Sequence, residues 1–173
     1  MDLSQILSHL SSSPTRFPDC CLSISNTLLT TLTTLLPKKP AFTLSIGSGP
    51  GLLEALLTHS NASISVEGVE VASTVNRYIA EEDMHVAGGA WDLYARAQQA
   101  AAWMFVYPRD PRLVSRYIER YAAENVEVVV WLGPRVDWVD YEACFRGSVF
   151  SDVRVLKAGL EPYEIAVVAR RSV

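Results

Sequence analysis

The stretch Ala41-Phe42-Thr43-Leu44-Ser45-Ile46-Gly47-Ser48-Gly49-Pro50-Gly51-Leu52 decides the fold. Ala41 to Ile46 reads as a buried strand ended by glycines. Leu52 to His59 then places apolar residues at helical spacing, so the stretch predicts strand, glycine turn and helix. Glycines at such a turn permit a tight reversal and let backbone amides approach a ligand closely. A glycine turn that holds nothing is the plainer alternative, and the motif alone does not choose between the two.

The glycine spacing narrows the ligand. A dinucleotide-binding loop has G-x-G-x-x-G, and Leu52 stands where its third glycine belongs. A P-loop needs Gly-Lys-Ser/Thr, which is absent. A nicotinamide-type oxidoreductase is therefore disfavoured. The next strand, Ala62 to Val71, brings Glu70 to its C-terminal end, 19 positions after Gly51. An acid about 20 residues beyond the loop grips a ribose diol in folds of this kind, because a carboxylate accepts from both hydroxyls. Glu67, in the same strand, reads as a surface residue.

Further out, strand and helix alternate. Ala72 to Glu82 reads as a helix, Met84 to Ala87 as a short strand and Leu93 to Ala101 as a helix. Ala102 to Tyr107 is an apolar strand, Pro111 to Glu124 a helix, and Val126 to Leu132 a central strand rich in valine. Continuous apolar runs suit parallel strands covered on both faces, and the alternation predicts right-handed βαβ units in a doubly wound sheet. Val149 to Lys157 and Tyr163 to Arg170 are separated by only five residues, Ala158 to Pro162. That gap holds no crossover helix, so the pair must be an antiparallel hairpin. Residues 1–40 predict a helical cap: one helix carrying Leu3, Ile6, Leu7 and Leu10, and a second from Pro18 to Leu36. Residues 41–173 form the α/β unit packed against it.

Composition bounds the function. The chain has 173 residues, 49% hydrophobic and 20% charged, which suits one globular domain. Its net charge of −4 disfavours a general nucleic-acid binder, which carries a basic surplus. No apolar run approaches the roughly 20 residues that cross a bilayer, and Met1 to Gln5 lacks the basic start of a secretory signal. Cys20, Cys21 and Cys144 fit neither a zinc nor a disulfide pattern, so free thiols and a cytoplasmic location are expected. His9, His59 and His85 lack companions at metal-ligand spacing, and no metal site is expected.

Over roughly residues 41–171 the chain resembles the class I, Rossmann-like S-adenosylmethionine-dependent methyltransferases. Gly47, Gly49 and Gly51, the acid Glu70 and the terminal hairpin carry the resemblance. It implies an α/β fold: a doubly wound, mostly parallel seven-stranded sheet ending in that hairpin, with helices on both faces. It also implies a site. The loop with Ser45, Gly47, Ser48, Gly49 and Gly51 would hold the cofactor's methionine part, and Glu70 its ribose. Val86-Ala87-Gly88-Gly89-Ala90-Trp91-Asp92-Leu93 is similar to the family's V-x-G-D-A-x-D-L and would frame the adenine through Gly89, Trp91 and Asp92.

Two positions depart from the family pattern. Ser45 stands where an acid often precedes the first glycine, and Gly89 stands where an acid often meets the adenine amine. After the fourth strand, Tyr107-Pro108-Arg109-Asp110-Pro111 is not the N-P-P-Y type of amino-group nucleic-acid methylases. There Tyr107 would bound the transfer site and Asp110 would act as base on the acceptor; the alternative is a surface pair of Arg109 and Asp110. Gly133 to Trp138 is expected as a loop on the same rim. The resemblance implies S-adenosylmethionine as cofactor, S-adenosylhomocysteine as product, and a small-molecule or protein acceptor away from any membrane. The competing expectation is a catalytically inactive methyltransferase-like domain, a homodimer or a partner's subunit, with residues 18–36 as docking element.

Overall fold

The apolar runs fold as strands and pair into one sheet, in a computed structural model that describes residues 2–122 and 125–172. In chain order they are β1 (Thr43–Ile46), β2 (Val66–Glu70), β3 (Met84–Val86), β4 (Ala102–Val106), β5 (Val128–Pro134), β6 (Asp152–Leu156) and β7 (Glu164–Arg170). Their spatial order is β3-β2-β1-β4-β5-β7-β6. Strands β1 to β5 are parallel. Strand β7 runs antiparallel between β5 and β6, so the hairpin read from the short Ala158–Pro162 connection inserts its second strand beside β5.

Alternation along the strands sorts side chains into two layers. Met104, Val130, Leu132 and Val168 face one layer, where they pack with α1 (Leu3–His9), α2 (Asn26–Leu35) and α3 (Leu52–Ser60). Trp103, Phe105, Val129, Trp131 and Val167 face the other, with α4 (Pro111–Tyr121) and α5 (Trp138–Arg146). The indole rings of Trp103 and Trp131 are almost fully buried; truncating such a side chain costs about 3–5 kcal/mol. No helix among the described residues is long and apolar enough to cross a membrane.

Five expectations are corrected. The helix expected from Pro18 begins only at Asn26, capped by the Ser25 hydroxyl, which accepts from the Leu28 amide at 3.0 Å. Residues before it bond elsewhere: Thr15 and Ile24 form an antiparallel bridge, and Ser23 turns to Glu164. The helix expected over Ala72–Glu82 is replaced by 3-10 turns at Ser73–Val75 and Glu81–Asp83. There the Asn76 side chain competes for local backbone, exchanging bonds with Ile79, while the Arg77 and Tyr78 amides donate to the Pro50 carbonyl. The helix expected from Leu93 to Ala101 is a 3-10 segment, Ala95–Gln99. The loop expected over Gly133–Trp138 is instead the end of β5, a 3-10 turn and the start of α5. Glu67, expected on the surface, is buried, and it binds the Arg96 guanidinium at 2.5 and 2.6 Å and His85 Nε2 at 2.7 Å.

Strand order reverses between β1 and β4. The crevice beyond the C-terminal ends of strands at such a switch point is where open α/β sheets bind ligands.

Candidate functional site

A cleft of about 1080 Å³ opens at that switch point, at the upper end of the range usual for ligand sites. Its walls come from the segments following the strands: Gly47 to Pro50 after β1, Glu70 and Val71 at β2, Ala90 and Trp91 after β3, and Tyr107 to Asp110 after β4. Residues 16–21 form a further wall. They are fastened by Asp19, which accepts from Arg77 Nη1 at 2.9 Å and from the Tyr78 hydroxyl at 2.7 Å.

The glycine loop is shaped as its sequence demands. Gly49 has φ +58° and Gly51 has φ +82°, both left-handed conformations that side chains resist. A Cβ on Gly49 would meet nothing within 4 Å, whereas one on Gly51 would strike Ile79 at 2.4 Å. Gly49 therefore leaves room for a ligand, and Gly51 leaves room for the protein. Glu70 sits at the end of β2 as expected. Its Oε1 accepts from the Gly49 amide at 2.8 Å and its Oε2 from the Val71 amide at 3.0 Å. Each oxygen keeps a lone pair for a further donor, so the carboxylate is fixed at the edge of the cleft with acceptor capacity to spare.

At the β3 end, the Asp92 amide donates to the Gly89 carbonyl at 3.0 Å, a turn that presents Ala90 and Trp91 to the cleft. Trp91 is 45% exposed, with the Arg112 guanidinium 4.9 Å from its ring centre and its carbonyl bonded by Arg116. With Val71 and Leu113 it makes an apolar wall suited to a purine. Gly89 and Asp92 shape this turn without bordering the cleft. Ser45 does not border it either: it is fully buried and turns to α3, where its hydroxyl donates to Glu54 Oε1 at 2.5 Å.

Tyr107 and Asp110 both border the cleft and differ in their freedom. Asp110 caps α4, accepting from the Arg112 amide at 2.8 Å, and forms a two-pronged pair with the Arg112 side chain. Those bonds hold its carboxyl below the usual range, which weakens it as a base. The expected alternative partner, Arg109, is not the residue it pairs with. Tyr107 is held at φ +48°, a conformation that costs a bulky residue about 1–3 kcal/mol and gathers at functional sites. Its amide donates to the Leu132 carbonyl and its hydroxyl to Glu164 Oε1, each at 2.7 Å. Burial and the neighbouring Glu164 carboxylate push the phenol well above its ordinary value.

Glu54 and Glu164 were missed in the sequence. Each is an acid inside an apolar run, Leu52-Leu53-Glu54-Ala55-Leu56-Leu57 and Glu164-Ile165-Ala166-Val167-Val168, and each is about 2% exposed. An acid at a core-facing position was the available signal, because buried carboxylates persist only with a purpose. Glu164 accepts from the Ser23 amide and hydroxyl as well as from Tyr107, tying the N-terminal segment to β4 and β7.

No protein-family model matches the sequence, and no curated protein matches it. Solved structures do match the fold. The methyltransferase domain of bacterial CtHen1 aligns over 83% of this chain and 97% of its own, with 14% identity and a TM-score of 0.63. This is the class I methyltransferase fold. Human N-acetylserotonin methyltransferase, solved with S-adenosylmethionine, aligns over 85% of this chain and 51% of its own, with 14% identity and a TM-score of 0.58. Sp1610 of Streptococcus pneumoniae, proposed to be a tRNA (m1A22) methyltransferase, aligns over 87% and 72%, with 19% identity and a TM-score of 0.55.

Proposed function

We propose that the chain is an S-adenosylmethionine-dependent methyltransferase acting on a small molecule or a protein side chain. The observation that carries this reading is the meeting of Glu70 with the Gly49 amide in an open switch-point cleft. The residues present fit the cofactor: an aimed carboxylate for the ribose, an apolar wall for the adenine, and a glycine loop with free space over Gly49. When bound, S-adenosylmethionine supplies an activated methyl group that leaves for a nucleophile by in-line displacement, with S-adenosylhomocysteine remaining. The protein's part is positioning and removal of the acceptor's proton. Glu70 orients the ribose, Trp91 covers one face of the adenine, and Tyr107 bounds the end of the cleft towards the acceptor. The wall formed by residues 16–21 and the net charge of −4 favour a compact acceptor over a nucleic acid. The engagement of Asp110 with Arg112 favours a second reading, a methyltransferase-like binding subunit without catalysis, since it occupies one candidate base.

Calorimetric titration with S-adenosylmethionine and S-adenosylhomocysteine tests the cofactor site. The wild type should bind both, and Glu70→Ala should weaken binding about 10- to 100-fold through loss of charge-assisted hydrogen bonds. A folded wild type that binds neither leaves only the binding-subunit reading.

A further inference from the structure

Glu54 is a buried carboxylate beside the cleft. It is 2% exposed and in no ion pair among the described residues. It is the third residue of α3, the helix that leaves the glycine loop, and it borders the cleft. Leu44 and Ile46 point into the layer of α4 and α5, so Ser45 points the opposite way, toward α3. The Ser45 hydroxyl holds Glu54 Oε1 at 2.5 Å, while Oε2 accepts no hydrogen bond from any other described residue. Leucines surround this position in the chain, and replacing a buried charge by an apolar residue is often neutral for a fold. Burying a carboxylate without a cation is expensive, and the cleft it borders is where a cation can come from.

We infer that Glu54 is the counter-ion for the ammonium of the cofactor's methionine part, delivered from the first helix and held in place by Ser45. The inference rests on the cofactor reading above. The acid absent at position 45 is supplied by a different element, and Ser45 becomes its anchor. The ammonium suits Glu54 better than the sulfonium does, because only the ammonium has N–H groups to donate to a carboxylate whose one partner from another described residue is a serine hydroxyl. Burial, opposed by the Ser45 hydroxyl and Glu54's own backbone amide and assisted by the Glu70 charge, pushes the Glu54 carboxyl up to about 7. Other titratable groups around it are Cys20 in the cleft wall and His59, Tyr78 and Asp83, which border a smaller cavity of about 270 Å³ that Glu54 also borders. An arriving ammonium stabilises the ionised form, so binding releases a proton and weakens as pH falls below about 7.

The test compares two ligands on the full chain by calorimetry. One is S-adenosylhomocysteine. The other, 5′-S-(3-carboxypropyl)-5′-thioadenosine, keeps the adenosine, thioether and carboxylate but has hydrogen in place of the ammonium. Glu54→Gln should weaken S-adenosylhomocysteine about 10- to 100-fold and leave the second ligand within about threefold. Ser45→Ala should move the same ratio in the same direction by a smaller factor. Wild-type affinity for S-adenosylhomocysteine should fall between about pH 8 and about pH 6, and Glu54→Gln should be flat. Equal losses for both ligands, or an unchanged S-adenosylhomocysteine affinity in Glu54→Gln, overturn the inference and leave the cofactor site standing. A wild type that binds neither ligand overturns the cofactor site itself.

Discussion

Replacing Glu54 by glutamine should make the free protein more stable in alkali. The carboxyl titrates near 4.5 in a flexible chain and at about 7 in the fold. Between those values the fold holds a proton that the unfolded chain releases. The stability Glu54 contributes is therefore complete below about pH 4.5, is lost as pH rises to about 7, and is flat beyond. At ~1.4 kcal/mol per pH unit the loss is ~3 kcal/mol, undiminished by solvent because the group is almost wholly buried. For a domain of this size that is roughly 6–12 °C in melting temperature. The assay is thermal unfolding of wild type and Glu54→Gln, followed by circular dichroism from about pH 4.5 to about pH 8. Every other titrating group is common to both proteins, so the difference between the curves isolates Glu54. The variant should gain on the wild type by ~3 kcal/mol across the range. Parallel curves would show that the carboxylate is solvated or paired in the fold and would refute the reasoning.

Four further outcomes follow from particular residues. Gly51→Ala should cost about 1–3 kcal/mol in a melt, from left-handed backbone and the collision with Ile79, while Gly49→Ala should cost about 1 kcal/mol and chiefly impair S-adenosylhomocysteine binding in titration. Tyr107→Phe removes one donor from the buried Glu164 and should cost about 1–2 kcal/mol by denaturant unfolding. Glu67→Gln should flatten the acid limb of stability. Burial alone would raise the Glu67 carboxyl, but the Arg96 and His85 bonds outweigh it and hold it below 4.5. Its contribution is thus present above about pH 4.5 and lost as pH falls through the lowered value, which melts at successive acid pH values will read.

Much of the sheet was legible because its strands are short, apolar and separated by glycine or proline. Val128 to Leu132 is buried on both faces and reads as such. The antiparallel β6 and β7 followed from a connection too short for anything else. Helices were legible where one face repeats, as in α4 with Val114, Tyr117 and Ile118 buried. They failed at 18–25 and 72–82, where backbone groups pair with distant partners that no local pattern announces. Ser23 bonding Glu164, 141 positions away, is invisible to periodicity.

The sequence by itself determined the order of elements, the glycine turn after β1 and the acid at the end of β2, because each depends on neighbours within a few residues. Only the tertiary structure decided which carboxylates matter and how. Glu67, Glu54 and Glu164 look alike in the chain. One lies in a partly open ion pair, one is buried beside the cleft with no ion-pair partner among the described residues, and one is satisfied by three donors from other parts of the chain. A carboxylate's charge and role are set by the dielectric and donors around it, and those are assembled by packing residues far apart in the chain.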